Sequence, residues 1–322
     1  VETLTGGNSA DLITLATQVT TGTINLGSAT DTLTLGNFAN TVTISNIETV
    51  TGGTSDDVIT LGTQAVSGTV INLGAGTDTL ILGAFVNTVS VSNAETITGS
   101  TTTDLVTLTT QANGVAIDLG GGTADRLTLG NFANTLTVSN VESVVGGTST
   151  DIITLATQIS GGTVNLGSGT DTLTLGNFVN TLTISGVETI NGGNTDDIVT
   201  LGTAVTSGSI DLGLGSDSLT LGNFVNTVTL TNIETIVGGT STDVITLGNQ
   251  VTSGTINLSG GTADVLTLGN FANTLTVSNI ESVVGGTSDD VVTLGTQASG
   301  VTVNLGAGSD TLVLGTFVNT LT

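Results

Sequence analysis

The sequence contains no proline, cysteine, methionine, tryptophan, tyrosine or histidine, and only one basic residue among 322. Without cysteine there are no disulfides, and without cysteine or histidine there are no ligands of the kind that soft metals prefer. The one basic residue, Arg126, cannot neutralise a phosphate backbone, which excludes a nucleic-acid-binding protein. The net charge of −25 also disfavours contact with anionic membrane surfaces.

Long hydrophobic runs are absent as well. No apolar stretch approaches the ~20 residues that a membrane-spanning helix requires, and no signal-peptide pattern is present. We therefore expect no membrane insertion. The chain opens at Val1 inside a repeat and has no sequence typical of a capping element at either end. We expect it to continue in a longer protein or to assemble head to tail through its open strand edges.

A repeat of about 46 residues fills the chain. One glutamate marks each copy, at Glu2, Glu48, Glu95, Glu142, Glu188, Glu234 and Glu281. One phenylalanine does the same, at Phe38, Phe85, Phe132, Phe178, Phe224, Phe271 and Phe317. The sequence predicts one continuous solenoid, residues 1–322, with repeats of approximately 1–46, 47–93, 94–140, 141–186, 187–232, 233–279 and 280–322.

The local pattern predicts an all-β fold. Short runs such as Thr32–Leu35 and Thr41–Ile44 alternate polar and apolar residues, are rich in β-branched side chains and end at Gly, Asn or Ser. No apolar stripe has the helical period of 3.6 residues. Because such short strands are stable only when stacked, we predict a parallel β-solenoid of the β-helix or β-roll type. Each repeat has two similar halves, which favours two coils of about 23 residues per repeat; one coil of 46 residues is the alternative.

Aspartates end the glycine-rich turns in both halves of every repeat. One series is Asp11, Asp57, Asp104, Asp151, Asp197, Asp243 and Asp290. The other is Asp31, Asp78, Asp125, Asp171, Asp217, Asp264 and Asp310. Coils of 23 residues would stack all fourteen on one corner of the solenoid.

Such a row of carboxylates needs relief from its own repulsion. Two unit charges one coil apart, ~4.8 Å, repel by about 3.5 kcal/mol at an effective dielectric of 20. Carboxylates and the carbonyls of glycine-rich turns are hard oxygen ligands, which Ca²⁺ prefers. We therefore predict calcium at these fourteen aspartates. The alternative is that they form turns, accepting backbone N–H bonds at a solvated corner.

The turn Gly52–Thr60 resembles the RTX nonapeptide, Gly-Gly-x-Gly-x-Asp-x-(apolar)-x, with Ser55 in place of the third glycine. Gly74–Leu80 matches the inner part of that motif with both glycines. The resemblance implies a β-roll in which aspartates and turn carbonyls hold Ca²⁺ between adjacent coils. It also implies a secreted bacterial toxin, adhesin or surface-layer protein. RTX motifs recur every nine residues, whereas the aspartate turns of this chain stand 20 to 26 residues apart.

The other recurring side chains have simpler expected roles. We expect the glutamates to be solvated turn residues, with a second row of ions as the alternative. The phenylalanines should fill corners of the core, or else form an outward adhesive strip. Neighbouring asparagines such as Asn37 and Asn40 should stack as amide ladders. Paired threonines such as Thr32 and Thr34 should form flat outward ladders.

These observations predict a structural protein and not an enzyme, because nearly every carboxylate is one of many similar copies. The predicted role is a rigid rod in a bacterial surface layer, sheath, fibre or adhesin stalk, secreted and stabilised by calcium. The expected partners are other copies of the chain, joined head to tail or laterally, and possible glycans or a cell surface. The alternatives are a glycan-binding or ice-binding adhesin region that uses the threonine ladders, and the repeat region of a larger secreted toxin or enzyme.

Overall fold

The computed structural model describes residues 2–322, which form two compact units. The first unit runs up to Thr157 and includes Leu166–Ser168, and the second comprises Gln158–Asn165 and Gly169–Thr322. Each unit is a parallel β-solenoid, which confirms the predicted fold class. Residues 2–322 contain no helix, and hence none that could cross a membrane. The prediction of one continuous solenoid across both units stays a prediction.

Thirty-five short strands make up the described chain. The strands as far as Leu155 are β1 (Thr3–Gly7), β2 (Leu12–Thr14), β3 (Gly22–Gly27), β4 (Thr32–Thr34), β5 (Thr41–Ser45), β6 (Thr49–Thr51), β7 (Val58–Leu61), β8 (Thr69–Asn72), β9 (Thr79–Ile81), β10 (Asn87–Ser92), β11 (Thr96–Ser100), β12 (Asp104–Leu108), β13 (Asn113–Gly120), β14 (Arg126–Thr128), β15 (Thr135–Ser139), β16 (Ser143–Gly147) and β17 (Ile152–Leu155).

The remaining strands repeat the same pattern with small changes in length. They are β18 (Ser160–Gly167), β19 (Thr172–Thr174), β20 (Thr181–Ser185), β21 (Thr189–Gly193), β22 (Ile198–Leu201), β23 (Gly208–Gly213), β24 (Ser218–Thr220), β25 (Asn226–Thr231), β26 (Thr235–Val237), β27 (Asp243–Leu247), β28 (Gly254–Asn257), β29 (Val265–Thr267), β30 (Thr274–Ser278), β31 (Ser282–Val284), β32 (Val291–Leu294), β33 (Ser299–Asn304), β34 (Thr311–Val313) and β35 (Thr320–Leu321).

Within a unit, successive strands alternate between two parallel sheets, so each strand pairs with the strands two before and two after it. In β5, Thr43 lies opposite Thr23 of β3 and Thr60 of β7. Neighbouring coils are therefore offset by 17 to 22 residues. The predicted coil of 23 residues is wrong. Two strands and two turns close a coil, and most turns are too short for the longer coil.

Each repeat contributes five strands, as β6 to β10 do in residues 47–93. Because five is odd, a repeat makes two and a half coils, and equivalent strands of successive repeats lie in opposite sheets. Strand β6 pairs with β4 and β8, whereas its equivalent one repeat later, β11, pairs with β9 and β13. The two sheets of a unit are therefore built from the same set of sequences.

The core of each unit is a thin layer of Leu, Ile and Val between the two sheets. Leu33, Leu35, Ile59 and Leu80 are fully buried, as the alternating pattern predicts. Burying a side chain of this size contributes about 1.5–3 kcal/mol. Their neighbours in sequence point outward, because side chains alternate across a strand.

The outward ladders of threonine are less regular than predicted. Thr23, Thr43 and Thr60 stack in register, but the next position in that column is Ile81. In the other sheet Thr49 is followed by Val70. The interruptions arise because the five strands of a repeat carry different outward residues, and all five types follow one another in each sheet.

The phenylalanines are not core residues, so the core-filling prediction is wrong. Phe38 is 38 % exposed and Phe178 is 40 % exposed. Each ring lies against the glycine two residues before it; in the turn before β5 this is Gly36, whose φ of +75° favours glycine. The phenylalanines also form no single strip, because Phe38 precedes a strand of one sheet and Phe85 a strand of the other.

The odd number of strands per repeat predicts which deletions the fold tolerates. Deleting residues 47–93 removes five half-coils and brings β11 into the place of β6, with equivalent side chains at every position. We expect this variant to keep its β-sheet circular dichroism and a cooperative melt, since solenoid stability is close to a sum over repeats. Deleting the 23 residues 58–80 should instead broaden or abolish the melt, because the cut shifts the register. Equal tolerance of both deletions would contradict the five-strand repeat.

Candidate functional site

Twelve of the fourteen predicted aspartates are completely buried, although nothing in their charge favours burial. Their exposed fractions are 0 or 1 %, whereas Asp11 and Asp310 are partly exposed. The buried residues are Asp31, Asp57, Asp78, Asp104, Asp125, Asp151, Asp171, Asp197, Asp217, Asp243, Asp264 and Asp290. The predicted solvated corner is therefore wrong for these residues.

The aspartates occupy both edges of a unit rather than one corner. Asp11 and Asp31 precede β2 and β4 of one sheet, while Asp57 and Asp78 precede β7 and β9 of the other. In the next repeat, Asp104 lies before β12 and is back on the edge of the first pair. The single row of fourteen is wrong because it followed from a coil of 23 residues.

Backbone hydrogen bonds connect these side chains into what we call ladders. The N–H of Asp57 donates to Oδ1 of Asp78 at 2.7 Å, and the N–H of Asp78 donates to Oε2 of Glu95 at 2.7 Å. One coil earlier, the N–H of Asn40 donates to Oδ1 of Asp57, and the N–H of Val19 donates to Oδ1 of Asn40. A ladder is thus a column of five rungs, one per coil: an apolar residue, Asn, Asp, Asp and Glu.

The same order of rungs recurs in both units. In the first unit the ladders are Asp11–Asp31–Glu48, Val19–Asn40–Asp57–Asp78–Glu95, Ala65–Asn87–Asp104–Asp125–Glu142 and Ala112–Asn134–Asp151. In the second they are Asp171–Glu188, Ile159–Asn180–Asp197–Asp217–Glu234, Val205–Asn226–Asp243–Asp264–Glu281, Val251–Asn273–Asp290–Asp310 and Ala298–Asn319.

The glutamates and asparagines therefore have roles that the sequence analysis missed. Glu48, expected to be solvated, is only partly exposed and accepts the N–H of Asp31 at 2.8 Å. Asn40 is 1 % exposed, and its Nδ2 donates to Oδ1 of Asp57 at 2.9 Å rather than to another amide. Stacked amides occur elsewhere, between Asn46 and Asn25. One signal was visible: Asn40 precedes Asp57 by the same 17 residues that separate Asp31 from Glu48.

The second carboxylate oxygen of most buried aspartates is unsatisfied. Oδ2 is buried and has no hydrogen-bond partner among the described residues in Asp31, Asp57, Asp78, Asp104, Asp125, Asp197, Asp217, Asp243, Asp264 and Asp290. In Asp104 this oxygen faces Gly99, where a Cβ would lie 2.6 Å from it. Leaving a buried charged group unpaired costs several kcal/mol, so these atoms require a proton or a cation.

Burial raises the pKa of these carboxyl groups. The pKa of Asp78 rises from 3.8 to about 6, first because burial disfavours the charged form and then because Asp57 and Glu95 are negative neighbours, while the N–H of Asp57 lowers it. Burial likewise raises the pKa of Asp125, Asp217 and Asp264 to about 6. Burial also raises the pKa of Asp57, against the opposing hydrogen bonds from Asn40.

The ladder offers hard oxygen donors for a cation in pairs. Asp57 and Asp78 on adjacent coils each bring one unsatisfied oxygen. No group of three or more acidic side chains that could hold a metal ion occurs in the part of the chain that the structure describes. A Ca²⁺ ion takes six to eight oxygen ligands, so turn carbonyls or water must supply the rest. The paired orphan oxygens fit calcium on these terms.

The remaining acids lie outside the ladders. Asp56, Asp196 and Asp289 are exposed, and each accepts an N–H from the turn one coil later; for Asp56 the donor is Thr77 at 2.8 Å. Asp118 and Asp211 accept the side-chain amides of Asn140 and Asn232. These five residues therefore have structural hydrogen bonds of their own.

Concave sites recur with the repeat. A cavity of about 150 Å³ lies between the turns at Asn93–Glu95 and Thr110–Asn113, and one of about 130 Å³ lies at the equivalent place one repeat earlier. Their floors are apolar, and their rims carry Asn, Glu, Thr and Gln. Both combine the same residue types, so neither resembles the unique constellation that an active site requires.

Comparison with models of known protein families gives no match, and comparison with curated proteins gives none either. The functional argument therefore depends on the geometry of the ladders.

The ladder predicts opposite effects for two replacements of Asp78. Asp78→Ala leaves the buried N–H of Asp57 without its acceptor, and we expect it to lower the free energy of unfolding by about 1–3 kcal/mol. Asp78→Asn keeps an acceptor at that position and removes a charge, so it should equal or exceed the parent in chelator at pH 7.5. Urea unfolding measures both. Similar losses in the two variants would contradict the ladder.

The raised pKa values predict that calcium-free protein is more stable in acid. The folded chain holds protons on Asp78, Asp125, Asp217 and Asp264 up to about pH 6, whereas an ordinary aspartate has a pKa of 3.8. This contribution is complete below pH 3.8 and is lost as the pH rises through 6. In chelator, the melting midpoint should therefore fall between pH 4 and pH 7. Replacing all four residues by Asn should flatten the profile; an unchanged profile would contradict the assignment.

Proposed function

We propose that the chain is a structural module of a secreted bacterial surface protein, part of a surface layer, sheath, fibre or adhesin stalk. One observation carries this proposal: the distinctive side chains of each repeat are used in contacts between successive coils. The apolar residues fill the core, and the Asn, Asp, Asp and Glu rungs bind the backbone of the preceding coil. A chain that invests its polar chemistry in its own stacking is suited to making a stiff element rather than to acting on a substrate.

We further propose that calcium stabilises this module at neutral pH. An asparagine at every rung would accept the same N–H without a charge, as Asn40 does for Val19. The chain instead keeps two aspartates in succession, each with an oxygen left over. Bound calcium would supply the positive charge that the sequence, with one basic residue, lacks. The aspartates of the ladders would hold it, with turn carbonyls as further ligands.

The geometry of the half-coil supports the resemblance to RTX repeats. The rungs Glu48, Asp57 and Ala65 follow one another at intervals of nine and eight residues, and Asp78, Asn87 and Glu95 do likewise. These intervals are close to the nine-residue spacing of the RTX motif. The wider spacing of the aspartates arises because Asn, Glu and apolar residues occupy the other rungs. In this proposal the chain is a diluted relative of that repeat type.

The proposed location is outside the cell, and the proposed partners are further copies of the chain and a cell surface. Most of the negative charge lies at the turns on the two edges, since the ladder acids precede the strands. The sheet faces carry mainly hydroxyl and small apolar side chains. Protease added to intact cells of the source organism should degrade the protein if it is surface-exposed; complete protection until lysis would refute this location.

Calcium should raise the thermal stability of the isolated chain. A ligand that binds only the folded state adds about 2.7 kcal/mol per site at one hundred times its dissociation constant. We therefore expect a higher melting midpoint by circular dichroism at pH 7.5 in calcium than in chelator. Magnesium serves as the control ion, because it demands a tighter octahedral site. Identical melts in calcium and chelator would remove calcium from the proposal and leave the structural role standing.

A further inference from the structure

We propose that the two successive aspartates of a ladder share one divalent cation, so that each repeat binds one ion and not two. This inference rests on the proposed calcium binding and concerns its stoichiometry and position. The pairs that lie within one unit are Asp11/Asp31, Asp57/Asp78, Asp104/Asp125, Asp197/Asp217, Asp243/Asp264 and Asp290/Asp310.

The first argument is the distance between neighbouring coils. The N–H of Asp57 donates to Oδ1 of Asp78, so the second carboxyl group lies next to the backbone of the first residue. Adjacent coils are about 4.8 Å apart. Oxygens on opposite sides of one calcium ion, each at 2.3–2.6 Å, are about 5 Å apart. One ion between the two coils can therefore reach both carboxylates.

The second argument is the isolation of each pair along its edge. The rung before Asp57 is Asn40, which is neutral and uses its amide on Phe38 and Asp57. The rung after Asp78 is Glu95, whose Oε2 already accepts an N–H, and the next rung is the apolar Ala112. A continuous file of ions along one edge would require carboxylates at every rung. The ladder supplies them as separated pairs instead.

The third argument is the unequal support of the two aspartates. Oδ1 of Asp57 accepts two hydrogen bonds from Asn40, through its N–H and its Nδ2, both at 2.9 Å. Oδ1 of Asp78 accepts one, from Asp57. Asp78 also lies between two negative rungs, Asp57 and Glu95. The second aspartate of each pair thus has the fewest donors and the most like charge, which makes it the residue that most requires the shared ion.

Because the repeat has five strands, the shared sites alternate between the two edges of a unit. Asp57/Asp78 lie on one edge, and Asp104/Asp125 lie on the other. Along one edge, equivalent pairs such as Asp11/Asp31 and Asp104/Asp125 are five coils apart, about 24 Å. At that distance salt screens one site from the next, so the sites should bind independently.

Equilibrium dialysis with radioactive calcium tests the shared site. Asp78→Asn should bind one ion fewer than the parent, and the double variant Asp57→Asn/Asp78→Asn should also bind one fewer. Both variants keep an oxygen acceptor at each rung, so they should fold, which circular dichroism checks. The control Asp56→Asn changes an exposed acid one residue away and should leave the count unchanged.

Each other result has a distinct meaning. If the double variant loses two ions, each aspartate holds its own cation and the shared site is wrong, while calcium binding itself stands. If Asp78→Asn keeps the full count, the second aspartate is not required and the shared site is again wrong. If the parent binds no calcium, the calcium part of the proposed function fails, and the shared site fails with it.

Discussion

A hydrogen bond from the backbone N–H of one coil to a side-chain oxygen of the next sets the register at both edges of each unit. The sheets themselves pair backbone with backbone, but the turns between strands leave an N–H at each corner that the sheet does not satisfy. Asn40, Asp57, Asp78 and Glu95 place an oxygen one coil away from such a group. Since a buried N–H without a partner is costly, every coil depends on the side chain of its neighbour.

This dependence explains why so many acids are buried in a chain with a single basic residue. A carboxylate accepts N–H groups strongly, and hydrogen bonds to charged groups are worth about twice those between neutral groups. The stacking of acids on acids works against that gain. The ladder moderates the conflict by placing neutral Asn and apolar rungs between the acidic ones, so charge accumulates over three rungs and then stops.

The fold was predictable because strand period, β-branched composition and the absence of helical stripes all gave the same answer. Inward Leu33 and Leu35 followed from alternation alone. The coil length was not predictable from the glycine-aspartate turns, because only two of the five turns in a repeat carry that signature. The turns that end at Glu48, Ala65 and Asn87 look unrelated in sequence, yet each provides a rung at the same place in the coil.

The aspartates themselves were correctly singled out, but their surroundings were not. Their burial could not be seen in the sequence, because the side chain that covers or supports each one comes from another coil. Asp57 is supported by Asn40 and lies next to Asp78, residues 17 and 21 positions away. The expected core position of Phe38 failed for a related reason: Asn40, two residues later, takes the buried corner to support the ladder.

A crystal structure at a resolution that separates individual atoms tests the ladder most directly. The account predicts carboxyl and amide oxygens within hydrogen-bonding distance of the N–H one coil earlier, in the order apolar, Asn, Asp, Asp, Glu, on alternate edges in successive repeats. Aspartate side chains turned outward into solvent, with water on those N–H groups, would contradict it.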